Sequence, residues 1–135
     1  MPLFPSFSIS ESGLAASRLW SDLIANNIAN MNSIAGANGG PYLAQHPVFE
    51  EALSKQGSAM GVNVTAIVQD TVTPPTQQYD PSSPYANAQG YVTFSNVNLA
   101  SEMSDLMIAE RMYQANLQAI QTSAAMYKQS ITQEV

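Results

Sequence analysis

Residues 98–135 read NLASEMSDLMIAERMYQANLQAIQTSAAMYKQSITQEV, and this stretch decides the fold. Leu99, Met103, Leu106, Glu110, Tyr113, Leu117, Ile120, Ala124, Tyr127 and Ile131 follow one another at alternating steps of four and three, and every one but Glu110 is apolar or aromatic. That is a heptad seam, and only a helix gathers such side chains on one face. At ~1.5 Å per residue the rod would be on the order of 50 Å long, too long to bury its seam against itself. Asn98, just before the periodic run, is the predicted N-cap.

The partner that the sequence offers lies at the other end of the chain. From Ile9 to Met31, Ala16, Trp20, Ile24 and Ile28 recur at helical spacing, with Leu19 and Leu23 beside them. Pro2 and Pro5 are expected to keep the first residues out of this helix, and Ser8, Ser10 or Ser12 to cap it. The expected fold is therefore mainly α, with long N- and C-terminal helices paired antiparallel as a coiled-coil-like terminal domain. Residues 1–33 and 98–135 make that domain, and 34–97 form a β-rich and loop insert.

Within the insert, 34–40 is a Gly/Asn/Ala linker and 41–53 is strand-like around Val48 and Phe49, interrupted by Pro47. Val62 to Val68 is rich in β-branched residues and reads as a strand. Thr71 to Pro84 carries Pro74, Pro75, Pro81 and Pro84 and reads as turns and extended loop. Gly90 to Phe94 is a second short strand.

Asn26, Asn27 and Asn30, around Ile28, close the first helix. Asparagine is a poor helix former because its side chain competes for nearby backbone groups. Two readings stand: the cluster frays the helix into a turn, or Asn27 and Asn30 lie by the seam and fix register through paired hydrogen bonds.

Charged residues make up 10% of the chain, against about 25% in an ordinary soluble domain. The outer positions of the last helix are Ser101, Ser104, Gln114, Asn116, Gln118, Gln121, Thr122, Ser123 and Gln129. Such a face suits water or, without ions to desolvate, another protein surface. The net charge is −6 and the four basic residues are scattered, which argues against nucleic acid. There is no cysteine, hence no disulfide or thiolate site. The proline-broken start lacks a basic region and is not a Sec-type signal peptide, and no apolar run is long enough to span a membrane.

No catalytic constellation, metal site or cofactor motif is evident. His46 is a lone histidine beside Pro47, and Glu50 and Glu51 are adjacent on a strand, pointing to opposite faces. An enzyme, such as a cell-wall hydrolase, and a soluble helical adaptor dimerising through the C-terminal seam are the rival classes.

In combination, Ser12-Gly13-Leu14, Asn26-Asn27-Ile28-Ala29-Asn30 and the heptad-bearing final helix resemble the bacterial flagellar rod and hook axial proteins. Gly39-Gly40-Pro41-Tyr42, Gly61-Val62-Asn63-Val64, Tyr79-Asp80-Pro81, Asn96-Val97-Asn98 and Tyr113-Gln114-Ala115-Asn116 follow in the order of a proximal-rod member, over nearly the whole chain. Leu43, Ala44, Ser83 and Ser95 depart from that pattern. The resemblance implies a non-enzymatic structural subunit of the basal-body rod. It implies export by the flagellar type III apparatus without a cleaved signal peptide, and residence in the periplasmic part of the rod. It also implies contacts with copies of itself, other rod proteins, the rod–ring junction protein and the inner-membrane ring, in a helical tube that transmits torque. On this reading Asn26, Asn27, Ile28 and Asn30 are an assembly motif, and Leu99, Met103, Leu106, Tyr113, Leu117, Ile120, Tyr127 and Ile131 a helix-packing seam.

Overall fold

The computed structural model describes residues 5–34, 39–53 and 59–133. In chain order they form helix α1 (Pro5–Ala29), strands β1 (Gln45–Leu53), β2 (Ala59–Gln69), β3 (Gln77–Tyr79) and β4 (Tyr91–Thr93), and helix α2 (Leu99–Gln133). The architecture is two long helices with a small β insert of two two-stranded sheets, β1–β2 and β3–β4. No described helix is long and apolar enough to cross a membrane.

Helix α1 starts at Pro5 rather than near Ile9. Proline is accepted at a first helical position, where its missing N–H has no partner to lose. Inside the helix, Ser17 and Ser21 return their hydroxyls to the carbonyls of Gly13 (2.7 Å) and Ser17 (3.0 Å), so these serines cap nothing and cost the helix little. Helix α2 is capped as its sequence predicts: Asn98 Oδ1 accepts from the amides of Ala100 (3.0 Å) and Ser101 (3.2 Å).

β1 and β2 pair antiparallel, with register shifts at Val48/Phe49 and Ala52/Leu53. In a two-stranded ribbon each strand is an edge, which is where a strand tolerates a proline such as Pro47. The ribbon lies on α1. Gly61, at φ +126°, presses its Cα against Ser12, and a Cβ there would fall on Ser12 Oγ. That hydroxyl accepts from the Val62 amide at 3.1 Å and donates to the Ile9 carbonyl at 2.7 Å. Further along, Trp20 and Phe49 meet edge to face, centroids 5.9 Å apart.

β3 falls in the stretch that reads as turns and loop. Gln77-Gln78-Tyr79 has no apolar alternation to announce it; β4 supplies its register, and Tyr79 packs edge-on against Tyr91 at 5.3 Å. After β4 the chain is locked down by two buried polar residues. Ser95 Oγ donates to the Met31 carbonyl at 2.6 Å. Asn96 accepts from the Ala44 amide and donates to the carbonyls of Asp70 and Thr73.

The two helices pack side by side. Asn27 of α1 meets Glu102 of α2, and a Cβ on Gly13 would lie 2.7 Å from Asn116 Nδ2. Ser6 and Phe7 share a shallow groove with Ser123, Met126 and Tyr127. The buried apolar side chains are few and mostly small: Ala16, Leu23, Ile24, Ala44, Val92 and Ala109. A core of this size leaves much apolar surface uncovered.

Candidate assembly interface

Two regions bear on function: a buried polar joint where the helices meet the insert, and the long outer face of α2.

Asn27 is the centre of the joint and is fully buried. Its Nδ2 donates to the Gln45 carbonyl (3.0 Å) and to Glu102 Oε1 (3.1 Å). Its Oδ1 accepts from the Gln45 amide (2.9 Å) and from the Tyr42 hydroxyl (2.9 Å). One carboxamide thus ties α1 to α2, to the base of β1 and to the segment before it. Burial without these partners would be costly, so the four bonds specify one arrangement. The single Tyr42 hydroxyl hydrogen is shared between Asn27 Oδ1 and Asn26 Oδ1, the latter at 3.0 Å.

Asn30 behaves differently. It is half-buried and returns its Nδ2 to the Asn26 carbonyl (2.9 Å) and Oδ1 (3.0 Å), while its Oδ1 accepts from the Ser33 hydroxyl (3.2 Å), closing the helix end locally. Ile28 is half-buried beside them. The cluster therefore divides: Asn27 reaches across the fold, while Asn26 and Asn30 finish a helix.

Glu102 is the member that periodicity does not reveal. It is 4% exposed, in the first turns of α2. Burial holds its carboxyl above the usual carboxylate range and Asp105 adds to this, while the Asn27 hydrogen bond and His46 oppose it. Tyr42 is raised as well, by burial and then by Glu102. The sequence signal, visible afterwards, is a second heptad column of small or polar residues: Glu102, Ala109, Asn116 and Ser123.

That column, not the full apolar seam, is what α2 turns towards α1. Glu102 and Ala109 are buried, and Asn116 and Ser123 half-buried. Of the seam, Leu106 and Ile120 are half-buried, whereas Leu99, Met103, Tyr113, Leu117, Tyr127 and Ile131 are exposed. The physical reason is closeness: Gly13 on α1 faces Asn116 on α2 with no room for a Cβ between them, so the backbones approach where bulky side chains would hold them apart. Met107, Ile108, Met112 and Met126 are exposed on α2 too.

Beside the ribbon, Ile9, Gly13, Ala16, Trp20, Phe49 and Met112 line an open apolar cleft of about 450 Å³. Among the described residues no group of His, Asp and Glu is placed to hold a metal ion. The chemistry on offer is contact between surfaces.

Residues 88–133 match the family described as "Flagellar basal body rod FlgEFG protein C-terminal". The whole chain is similar to several proteins named flagellar basal-body rod protein FlgC. One, from Buchnera aphidicola subsp. Acyrthosiphon pisum, is 37% identical over 134 residues, covering 98% of each chain. That from Salmonella typhimurium is 35% identical over 132 residues, again 98% of each. That from Borreliella burgdorferi is 34% identical over 148 aligned positions, 97% of each.

Proposed function

This chain belongs to the family of flagellar basal-body rod proteins named FlgC, and from that premise we propose how its parts serve the rod. It is a structural subunit of the flagellar basal-body rod and not an enzyme.

The terminal domain is residues 1–33 with 98–135, an antiparallel coiled-coil-like helix pair, and 34–97 is the insert that sits on it. Antiparallel pairing is supported by the opposite order of the meeting residues, Asn27 with Glu102 and Gly13 with Asn116. In the rod, the exposed members of the seam pack against helices of neighbouring subunits. Asn27, flanked by Asn26, Ile28 and Asn30, fixes the angle at which each subunit carries its insert. Repeated head-to-tail, such non-closing contacts generate a helical tube, and torque passes along it through side-chain packing.

The neighbours are copies of this chain, other rod proteins, the rod–ring junction protein and the inner-membrane ring. The subunit reaches them through the flagellar type III apparatus without a cleaved signal and resides in the periplasmic rod. The observation that carries this reading is the exposed face of α2, where Leu99, Met103, Met107, Leu117 and Ile131 stay open to solvent in one chain. An isolated soluble protein rarely leaves so long an apolar strip uncovered.

The test is where the protein resides. A tagged chain expressed from its own locus is expected in purified basal bodies and as a monomer when free. A discrete, folded dimer that is absent from basal bodies is the adaptor's behaviour and contradicts the proposal.

A further inference from the structure

We propose that Glu102 is a proton-sensitive positioning residue, which sets through Asn27 how firmly the base of the β1–β2 ribbon is held against the helix pair. The inference rests on the geometry of the joint and stands whether or not the chain is in a rod.

Both hydrogens of the Asn27 amide are committed, one to the Gln45 carbonyl and one to Glu102 Oε1, and its oxygen takes the Gln45 amide and the Tyr42 hydroxyl. Every element that meets at the joint therefore depends on one carboxamide staying in one orientation. Among the described residues, Glu102 is the one carboxylate bonded to that amide. Its oxygen can accept from Asn27 when protonated and when ionised, so the bond itself does not decide the state of the joint. What changes is whether a full negative charge must remain in a nearly closed site.

The titratable groups around it are Tyr42 in the segment before β1, His46 on β1 and Asp105 on α2. Helix α1 contributes the uncharged Asn27. Asp105 disfavours the ionised form, and His46 favours it. When Glu102 binds a proton from solvent, its carboxyl carries no charge into the joint and the joint is tight. When it loses that proton, the carboxylate draws water inwards, and the Asn27 amide shares its hydrogens with that water at the expense of Gln45.

The sign follows from linkage. Glu102's folded value lies above its unfolded one, so its contribution to stability is fully present below the unfolded value and is lost as pH rises through the folded one. An exposed glutamate would change nothing over that interval.

The experiment follows the Asn27 side-chain amide and the Gln45 backbone amide of the full chain by NMR as pH is varied. The two signals are expected to move together, with one midpoint above the ordinary glutamate range. Glu102→Gln keeps the acceptor and removes the titration. Its Gln45 amide is expected to exchange about tenfold more slowly than that of the wild type at neutral pH, the equivalent of about 1.4 kcal/mol. His46→Gln removes the group that favours ionisation, and should raise the midpoint further. Four results overturn the inference. The midpoint could lie at the ordinary glutamate value, or the titration could survive Glu102→Gln. It could instead vanish with His46→Gln, or the Asn27 amide could show no resolved, protected signal at any pH.

Discussion

The two faces of α2 are built the wrong way round for a helix of a self-sufficient domain. The face towards α1 carries Glu102, Ala109, Asn116 and Ser123, small or polar and buried to half-buried. One residue further along, and therefore about 100° round the helix, Met103, Leu117 and Ile131 point away from α1 and stay exposed. The inner face holds the subunit together by close approach and by hydrogen bonds at one end. The outer face leaves its apolar surface uncovered by the rest of the chain. Hydrophobic periodicity reports that a face is to be buried; it does not report whether the burial happens within one chain or between chains.

The largest expected effect comes from spoiling the outer face. Leu117→Asp removes roughly 1.5–3 kcal/mol of apolar burial in the assembled rod. It also leaves an unpaired carboxylate there, which costs several kcal/mol more. In the free subunit Leu117 is 39% exposed, so only its uncovered part is left for the rod to bury, and the loss of incorporation should exceed the change in unfolding of the isolated protein. The expected outcome is a chain that is folded and secreted yet missing from basal bodies, in non-motile cells. Gln118→Asp beside it reports whether the next strip of surface meets water or a neighbour. Normal amounts of the Leu117→Asp chain in basal bodies would break the distinction between the two faces.

Next is the joint at the end of the inner face. Asn27→Ala orphans the Gln45 amide and carbonyl and takes the hydrogen-bond donor from Glu102, leaving the Tyr42 hydroxyl only Asn26 Oδ1, and should cost on the order of 2–4 kcal/mol in urea unfolding. Asn30→Ala removes only local bonds to Asn26 and Ser33 at the helix end and should cost about 0.5–1 kcal/mol, well short of the Asn27 effect. Equal effects at the two positions would mean that Asn27, like Asn30, only closes the helix.

The smallest of these effects tests the inner face at its midpoint. Ala109 is fully buried on the inner column of α2, and Ala109→Leu adds bulk there. It should destabilise the free subunit by about 1–3 kcal/mol, read as a lower urea midpoint. Read the other way, an unchanged midpoint would show that the helices have room there, and that small residues are not what brings them together.

This contrast also marks how far the sequence could be read. Both helices, the Asn98 cap and the strands around Val62–Val68 and Tyr91–Thr93 follow from local periodicity and capping, which act over a few residues. Pro5 inside α1 and the Gln-Gln-Tyr strand β3 were not legible, since the first depends on a terminal position and the second on its partner strand. The apolar seam was legible as a pattern, but its direction was not, because Leu99 and Leu117 look the same in sequence whether they face α1 or a neighbour. Half of the joint could be read: Asn27 was singled out by its poor helix propensity. Glu102 carried no such mark, because a glutamate in the first turns of a helix is ordinary until Asn27 is seen above it. The long-range partners Tyr42, Ser95 and Asn96 meet their targets only once the fold has closed.

The measurement that bears most directly on the two-faced helix uses side chains the protein already has. Met103 and Met107 are exposed on the outer side of α2 in the single chain, whereas Met112 and Met126, also exposed, border the clefts with α1. Brief treatment with dilute peroxide, followed by mass spectrometry of the peptides, reports the access of oxidant to each sulfur. The account predicts fast oxidation of these methionines in the free subunit and strong protection of Met103 and Met107 in intact basal bodies. Equal oxidation rates in the free subunit and in basal bodies would contradict it, for the outer face would then meet water even in the rod.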